Sequence, residues 1–162
     1  MSWHNFDLKM PMLVPDHGSN PMVVRPDGPI RFRRAVETIA RYFRREFHFD
    51  FVQYSATDRY CDKRDRAWLW YDHGAVSVTD PLPCIGACSF RWREEETGYA
   101  LQWIWLHPYC RRRGLLTKAW PMFREWFGEF EVEGPLSEPM EAFVAKIKPQ
   151  PAKHELQSHA QL

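Results

Sequence analysis

Nowhere does this chain hold an apolar run long enough to cross a membrane. The longest, such as Ala100–Leu106, fall far short of the roughly 20 residues a span needs. No charge sign dominates either: Lys+Arg number 22 and Asp+Glu 21, a formal net charge of +1. A global basic excess announcing a nucleic-acid or membrane-surface binder is therefore absent. Cysteine is scarce, and Cys61, Cys84, Cys88 and Cys110 are irregularly spaced. They match neither a secreted disulfide framework nor zinc-finger spacing, so we expect free thiols and no metal. Met1–Pro15 carries His4, Asp7 and Lys9 where an export signal would be uninterruptedly apolar. We expect no such signal, and a soluble, cytoplasmic protein. No internal repeat is visible.

Aromatic residues, in contrast, are abundant. Eight tryptophans and 11 phenylalanines among 162 residues give a burial payload that a disordered chain lacks. The length suits one domain. In residues 1–29, Pro11, Pro15, Pro21, Pro26 and Pro29 with Gly18 and Gly28 allow short extended pieces and turns but no long helix. We expect this segment to pack on a domain of residues 30–147, with a flexible Pro-, Gln-, His- and Lys-rich tail at 148–162.

Within that domain, Phe32, Val36, Ile39, Phe43 and Phe47 form the stripe of an amphipathic helix over Ile30–Phe47. Arg31, Arg34, Arg41, Arg44 and Arg45 lie off the stripe and read as a solvated face, although they leave a nucleic-acid reading open. Ala67–Tyr71 reads as a short strand. Ile85–Trp92 and Tyr99–Leu106 read as an antiparallel hairpin around the solvated tip Glu94–Glu96. A second helix is expected over Gly114–Phe127, with Leu115, Leu116, Ala119, Trp120, Phe123, Trp126 and Phe127 on its apolar side and Pro121 inside it. Phe130–Val132 should be a strand, Gly134–Ser137 a turn and Pro139–Ile147 a last helix.

The segment Leu101–Leu116, LQWIWLHPYCRRRGLL, combines an apolar strand, a proline, a basic loop with one glycine and a helix start. The first amides of a helix lack intrahelical partners and carry the positive end of its dipole. With arginines beside them they suit a pyrophosphate. Gly114 would let phosphates approach the backbone without a Cβ in the way. Cys110, beside arginines that favour a thiolate, is a candidate reactive thiol.

Residues Pro108–Leu116 resemble the acetyl-CoA pyrophosphate loop of the GNAT superfamily of N-acetyltransferases, whose pattern is Arg/Gln-x-x-Gly-x-Gly/Ala. Arg111 takes the first position and Gly114 the glycine, while Leu116 replaces the small last residue. The likeness covers roughly Cys84–Lys146. It is nearest to the sister-chromatid cohesion-type acetyltransferases, through Ile104-Trp105, the all-basic loop and the turn Leu136-Ser137-Glu138-Pro139.

The resemblance implies an α/β fold in one domain: a GNAT-like mixed, mainly antiparallel sheet flanked by helices. It implies direct transfer of acetyl from acetyl-CoA, as co-substrate, to an amine on a protein or small molecule. Leu106, Arg111, Arg112, Arg113, Gly114, Leu115 and Leu116 would then hold the coenzyme, with a backbone N–H near Leu106 meeting the oxyanion. Tyr99–Leu106 offers no carboxylate as base, which leaves His107, Glu138 and Ser137 as catalytic candidates. The leaving-group tyrosine of the last helix is replaced by Phe143, and Tyr109 is the nearest phenol. The N-terminal segment and Phe49–Arg66 are expected to shape the acceptor site. A catalytically silent binding module with the same fold is the alternative, followed by a nucleic-acid-binding domain built on Arg31–Arg45 and Arg111–Arg113.

Overall fold

A computed structural model describes residues 8–16, 20–58, 62–72, 79–94 and 98–147. The chain order is β1 (Met12–Leu13), β2 (Val23–Val24), α1 (Ile30–Phe47), β3 (Arg66–Tyr71), β4 (Leu82–Arg93), β5 (Gly98–Leu106), α2 (Leu115–Phe127), β6 (Glu131–Val132) and α3 (Glu138–Ile147). A 3-10 turn over Pro108–Cys110 follows β5. The sheet order is β2-β3-β4-β5-β6, with β1 paired to the start of β4. All pairings are antiparallel except β5 with β6. This is an α/β domain with a mainly antiparallel sheet, as the sequence led us to expect.

Period-two alternation along β3 sends Ala67, Leu69 and Tyr71 to the face covered by α1, and Trp68 and Trp70 to the face covered by α2 and α3. Helix α1 buries Phe32, Ala35, Val36, Ile39 and Ala40, while Arg31, Arg34, Arg41, Arg44 and Arg45 stay exposed. Leu8, Met10 and Leu13 join the α1 side. On the other face Phe123 is fully buried, edge-on to Trp68 at 5.1 Å and Phe90 at 5.0 Å. Phe127 stacks on Phe90 at 4.0 Å.

The aromatic residues of β5 and α2 do not share one core. Trp103 and Trp105 pack toward α1, whereas Trp120, Phe123 and Phe127 pack on the opposite face. Trp126 departs from the expected stripe and is 43% exposed, because the helix turns that position outward beside the buried Phe123 and Phe127. Pro121 lies inside the continuous helix. Cys61, expected to be a free thiol, the residues beyond Glu94 at the hairpin tip and the tail 148–162 lie outside the described residues. Cys84, Cys88 and Cys110 are free and buried.

Two register shifts interrupt the sheet ladder. The register shifts between Trp70 and Tyr71 against β4, and between Ser89 and Phe90 against β5, where Gln102 is the extra residue. The second shift puts Leu101 and Trp103 on opposite faces although they are two apart. Gly86 sits where β4 and the end of β5 nearly touch: a Cβ there would lie 2.7 Å from the Trp105 carbonyl oxygen and 2.5 Å from Leu106 Cδ2.

Candidate functional site

Strands β5 and β6 run parallel but pair only at Ala100–Glu131 and Leu101–Val132. One further bond, from Glu133 N–H to the Leu101 carbonyl at 2.9 Å, ends the ladder. The chain then leaves the sheet through Gly134–Pro135, a cis peptide, and enters α3, while β5 continues to Leu106. Among the described residues no strand covers the β6 side of Trp103–Leu106. A cleft of about 220 Å³ opens there, between Phe43, Phe47 and Phe49 near the end of α1 and Leu136, Ser137 and Met140 at the start of α3.

The same strand leads into the basic loop. His107 N–H donates to the Ile85 carbonyl, and the 3-10 turn follows at once. Gly114 then adopts φ +76°, in the left-handed region that strains residues bearing a Cβ. Helix α2 starts there with no side-chain cap and no acidic residue in its first turn. Its first amides and dipole thus form a positive end without a side-chain cap among the described residues. Arg112 and Arg113 are exposed beside it, and Leu115 and Leu116 pack into the core rather than over the terminus. A Cβ on Gly114 would meet nothing within 4 Å, so the approach to these amides is open. Leu106 ends β5 immediately before the loop, and its carbonyl accepts from Arg111 Nε at 2.9 Å.

Arg111 does not share the loop's exposed role. Its guanidinium forms a two-bond fork with Glu46 of α1, Nη1 to Oε1 at 2.7 Å and Nη2 to Oε2 at 2.6 Å. Glu46 Oε2 also accepts from Trp105 Nε1 at 2.6 Å. These bonds from Arg111 hold the Glu46 carboxyl below its ordinary range, against the opposing effect of burial. Arg111 therefore fastens the loop to the last turn of α1, and the cations facing solvent are Arg112 and Arg113.

The three catalytic candidates occupy different places. His107 is fully buried, and its Nδ1 accepts from Tyr109 N–H at 3.2 Å, which puts the ring proton on the other nitrogen. Burial, aided by the Arg111 charge, lowers its pKa. Ser137 is half-buried and lines the cleft, and its carbonyl accepts from Glu141 N–H. Glu138 is exposed in the first turn of α3 and, like His107, does not line the cleft.

A carboxylate that the sequence reading passed over does line it. Glu133 closes β6, and its Oε1 bonds to Arg93 at 3.0 Å. Its Oε2 is buried without a hydrogen-bond partner among the described residues. No local motif marks Glu133, because its importance comes from where β6 stops.

Cys110 corrects another expectation. It is 4% exposed, and burial pushes its thiol pKa up more than Arg113 lowers it, so it is not an activated thiolate. Among the described residues no cluster of three or more His, Cys, Asp or Glu side chains could hold a metal ion, and no helix is long and apolar enough to cross a membrane. A second, more polar cleft of about 380 Å³ lies between residues 51–58 and 62–66 on one side and the β4–β5 hairpin on the other, and Gln102 borders both clefts. Neither a family model nor a curated protein matches the chain.

Proposed function

We propose that this protein is an N-acetyltransferase that moves an acetyl group from acetyl-CoA directly to an amine. One observation carries the reading: parallel strands β5 and β6 separate after Leu101 and Val132, and β5 runs on to an uncapped, glycine-led helix terminus. A thin, extended arm fits a gap between parting strands, and a pyrophosphate fits the helix end it leads to. The GNAT resemblance of Pro108–Leu116 falls on this loop.

In this reading the amides of Leu115 and Leu116, the open face of Gly114 and the side chains of Arg112 and Arg113 hold the pyrophosphate. Arg111 positions the loop through Glu46. The backbone at the end of β5, around Leu106, meets the developing oxyanion. Ser137, at the cleft wall, contacts the reacting groups. The cleft bounded by residues 51–58 and 62–66 gives the acceptor a route that reaches Gln102 from the other side. Its mixture of Asp58, Asp62, Arg66 and Arg91 suits a polar amine, either a protein lysine or a small molecule.

The exposed position of Glu138 and the sealed position of His107 favour a second reading, a silent module that binds acetyl-CoA without transfer. Calorimetric titration with acetyl-CoA, followed by coenzyme-A release assays over a panel of amines and lysine peptides, tests both. Binding with turnover supports the enzyme, binding without turnover supports the module, and no binding removes both.

A further inference from the structure

We propose that Glu133 is the general base of this transfer, an assignment that rests on the acetyltransferase reading above. Glu133 is the sole ionisable side chain lining the cleft among the described residues. Its backbone makes the last rung to Leu101, so the residue stands where β5 and β6 part. Arg93 holds Oε1 at 3.0 Å, which fixes the placement of the group, while Oε2 has no hydrogen-bond partner among the described residues. The terminal torsion of a glutamate is soft, so the carboxylate can turn toward the cleft by loosening its bond to Arg93.

The chemistry balances with this one base. Glu133 takes a proton from the acceptor ammonium, and the freed nitrogen lone pair attacks the thioester carbonyl carbon. A C–N bond forms and the C–S bond breaks. The second nitrogen proton passes to the departing thiolate, and Glu133 returns its own proton to water, one per turnover. His107 and Glu138 lie outside the cleft lining and are not needed for this step.

The test compares the parent and Glu133→Gln with two nucleophiles: n-butylamine, protonated at neutral pH, and hydroxylamine, largely unprotonated there. Acetyl-CoA binding is measured in parallel by calorimetry. We expect equal acetyl-CoA affinity and a loss of about 10²–10⁴-fold on n-butylamine, the usual weight of a general base. The rate on hydroxylamine should change less than about threefold, because no proton need be removed before attack. The n-butylamine deficit should shrink as the pH rises toward that amine's own titration.

Equal losses on both nucleophiles, no loss on n-butylamine, or a parent that binds acetyl-CoA and acetylates neither would overturn the assignment. A parent that fails to bind acetyl-CoA overturns the acetyltransferase reading itself. If Glu133→Gln does not fold, Glu133→Asp carries the same comparison. It should be slowed on n-butylamine alone, and equal slowing on both nucleophiles overturns the proposal.

Discussion

Arg111 and Glu46, 65 residues apart, are joined by two parallel hydrogen bonds of 2.6 and 2.7 Å that tie the basic loop to the last turn of α1. Glu46 also holds the Trp105 indole, so one carboxylate fixes the end of β5 and the loop after it. Glu46→Gln should lower stability by about 1 kcal/mol, a modest figure because the pair is partly exposed. Its ionised form is favoured in the folded state, so its contribution is complete above the ordinary value of 4.5 and disappears as the pH falls through the lower folded value. Urea unfolding between pH 7 and 3 should show the parent losing its advantage over Glu46→Gln below about that ordinary value. A gap that stays constant with pH would contradict this.

His107 works in the opposite sense. Its folded pKa is lowered, so the unfolded chain binds a proton that the folded chain resists. The parent should lose stability as the pH falls below 6.5, the ordinary value, and should level off only below the folded value. His107→Gln should be less stable at pH 8, because it disturbs a fully buried site, yet should lack that acid-side loss. Thermal melts at pH 8, 6.5 and 5 separate the two effects.

Gly86→Ala is the small substitution with a specific structural consequence. The new methyl would meet the Trp105 backbone oxygen at 2.7 Å, and backbone cannot yield as a side-chain end can. We expect a loss of about 1–3 kcal/mol. Acetyl-CoA affinity should fall as well, because the strand that would have to move is the one leading into the loop. Full affinity in a destabilised variant would separate packing at Gly86 from the site.

Two aromatic residues of one helix should respond very differently. Phe123→Ala removes a ring with no exposed surface and should cost about 3–5 kcal/mol. Trp126→Ala, at 43% exposure, should cost far less, about 0.5–1 kcal/mol. Equilibrium denaturation of the two variants checks the ordering.

Much of this architecture was legible in the sequence because the apolar periods are strong. The Phe32–Phe47 stripe marks α1 over Ile30–Phe47, and the runs flanking Glu94–Glu96 mark the central hairpin. The loop from Arg111 to Gly114 was readable because its chemistry is contiguous. What stayed hidden depends on contacts distant in sequence or on local irregularity. The Glu46–Arg111 fork joins segments that no periodicity relates. The extra residue Gln102 reverses the faces of β5, which sends Trp103 and Trp105 to the α1 side of the sheet, opposite the α2 core. Glu133 gains its position only because β6 stops after Val132. Cys110 was read from its charged neighbours, whereas burial decides its state.

Calorimetric titration of the parent and Gly114→Trp with acetyl-CoA tests the account most directly. The variant places an indole where the approach to the first amides of α2 is now open, at a backbone φ of +76°. The account predicts saturable binding by the parent and at least a tenfold weaker dissociation constant for Gly114→Trp, about 1.4 kcal/mol or more. Circular dichroism should show both proteins folded. A parent that binds no acetyl-CoA, or a folded Gly114→Trp that binds as tightly as the parent, would contradict it.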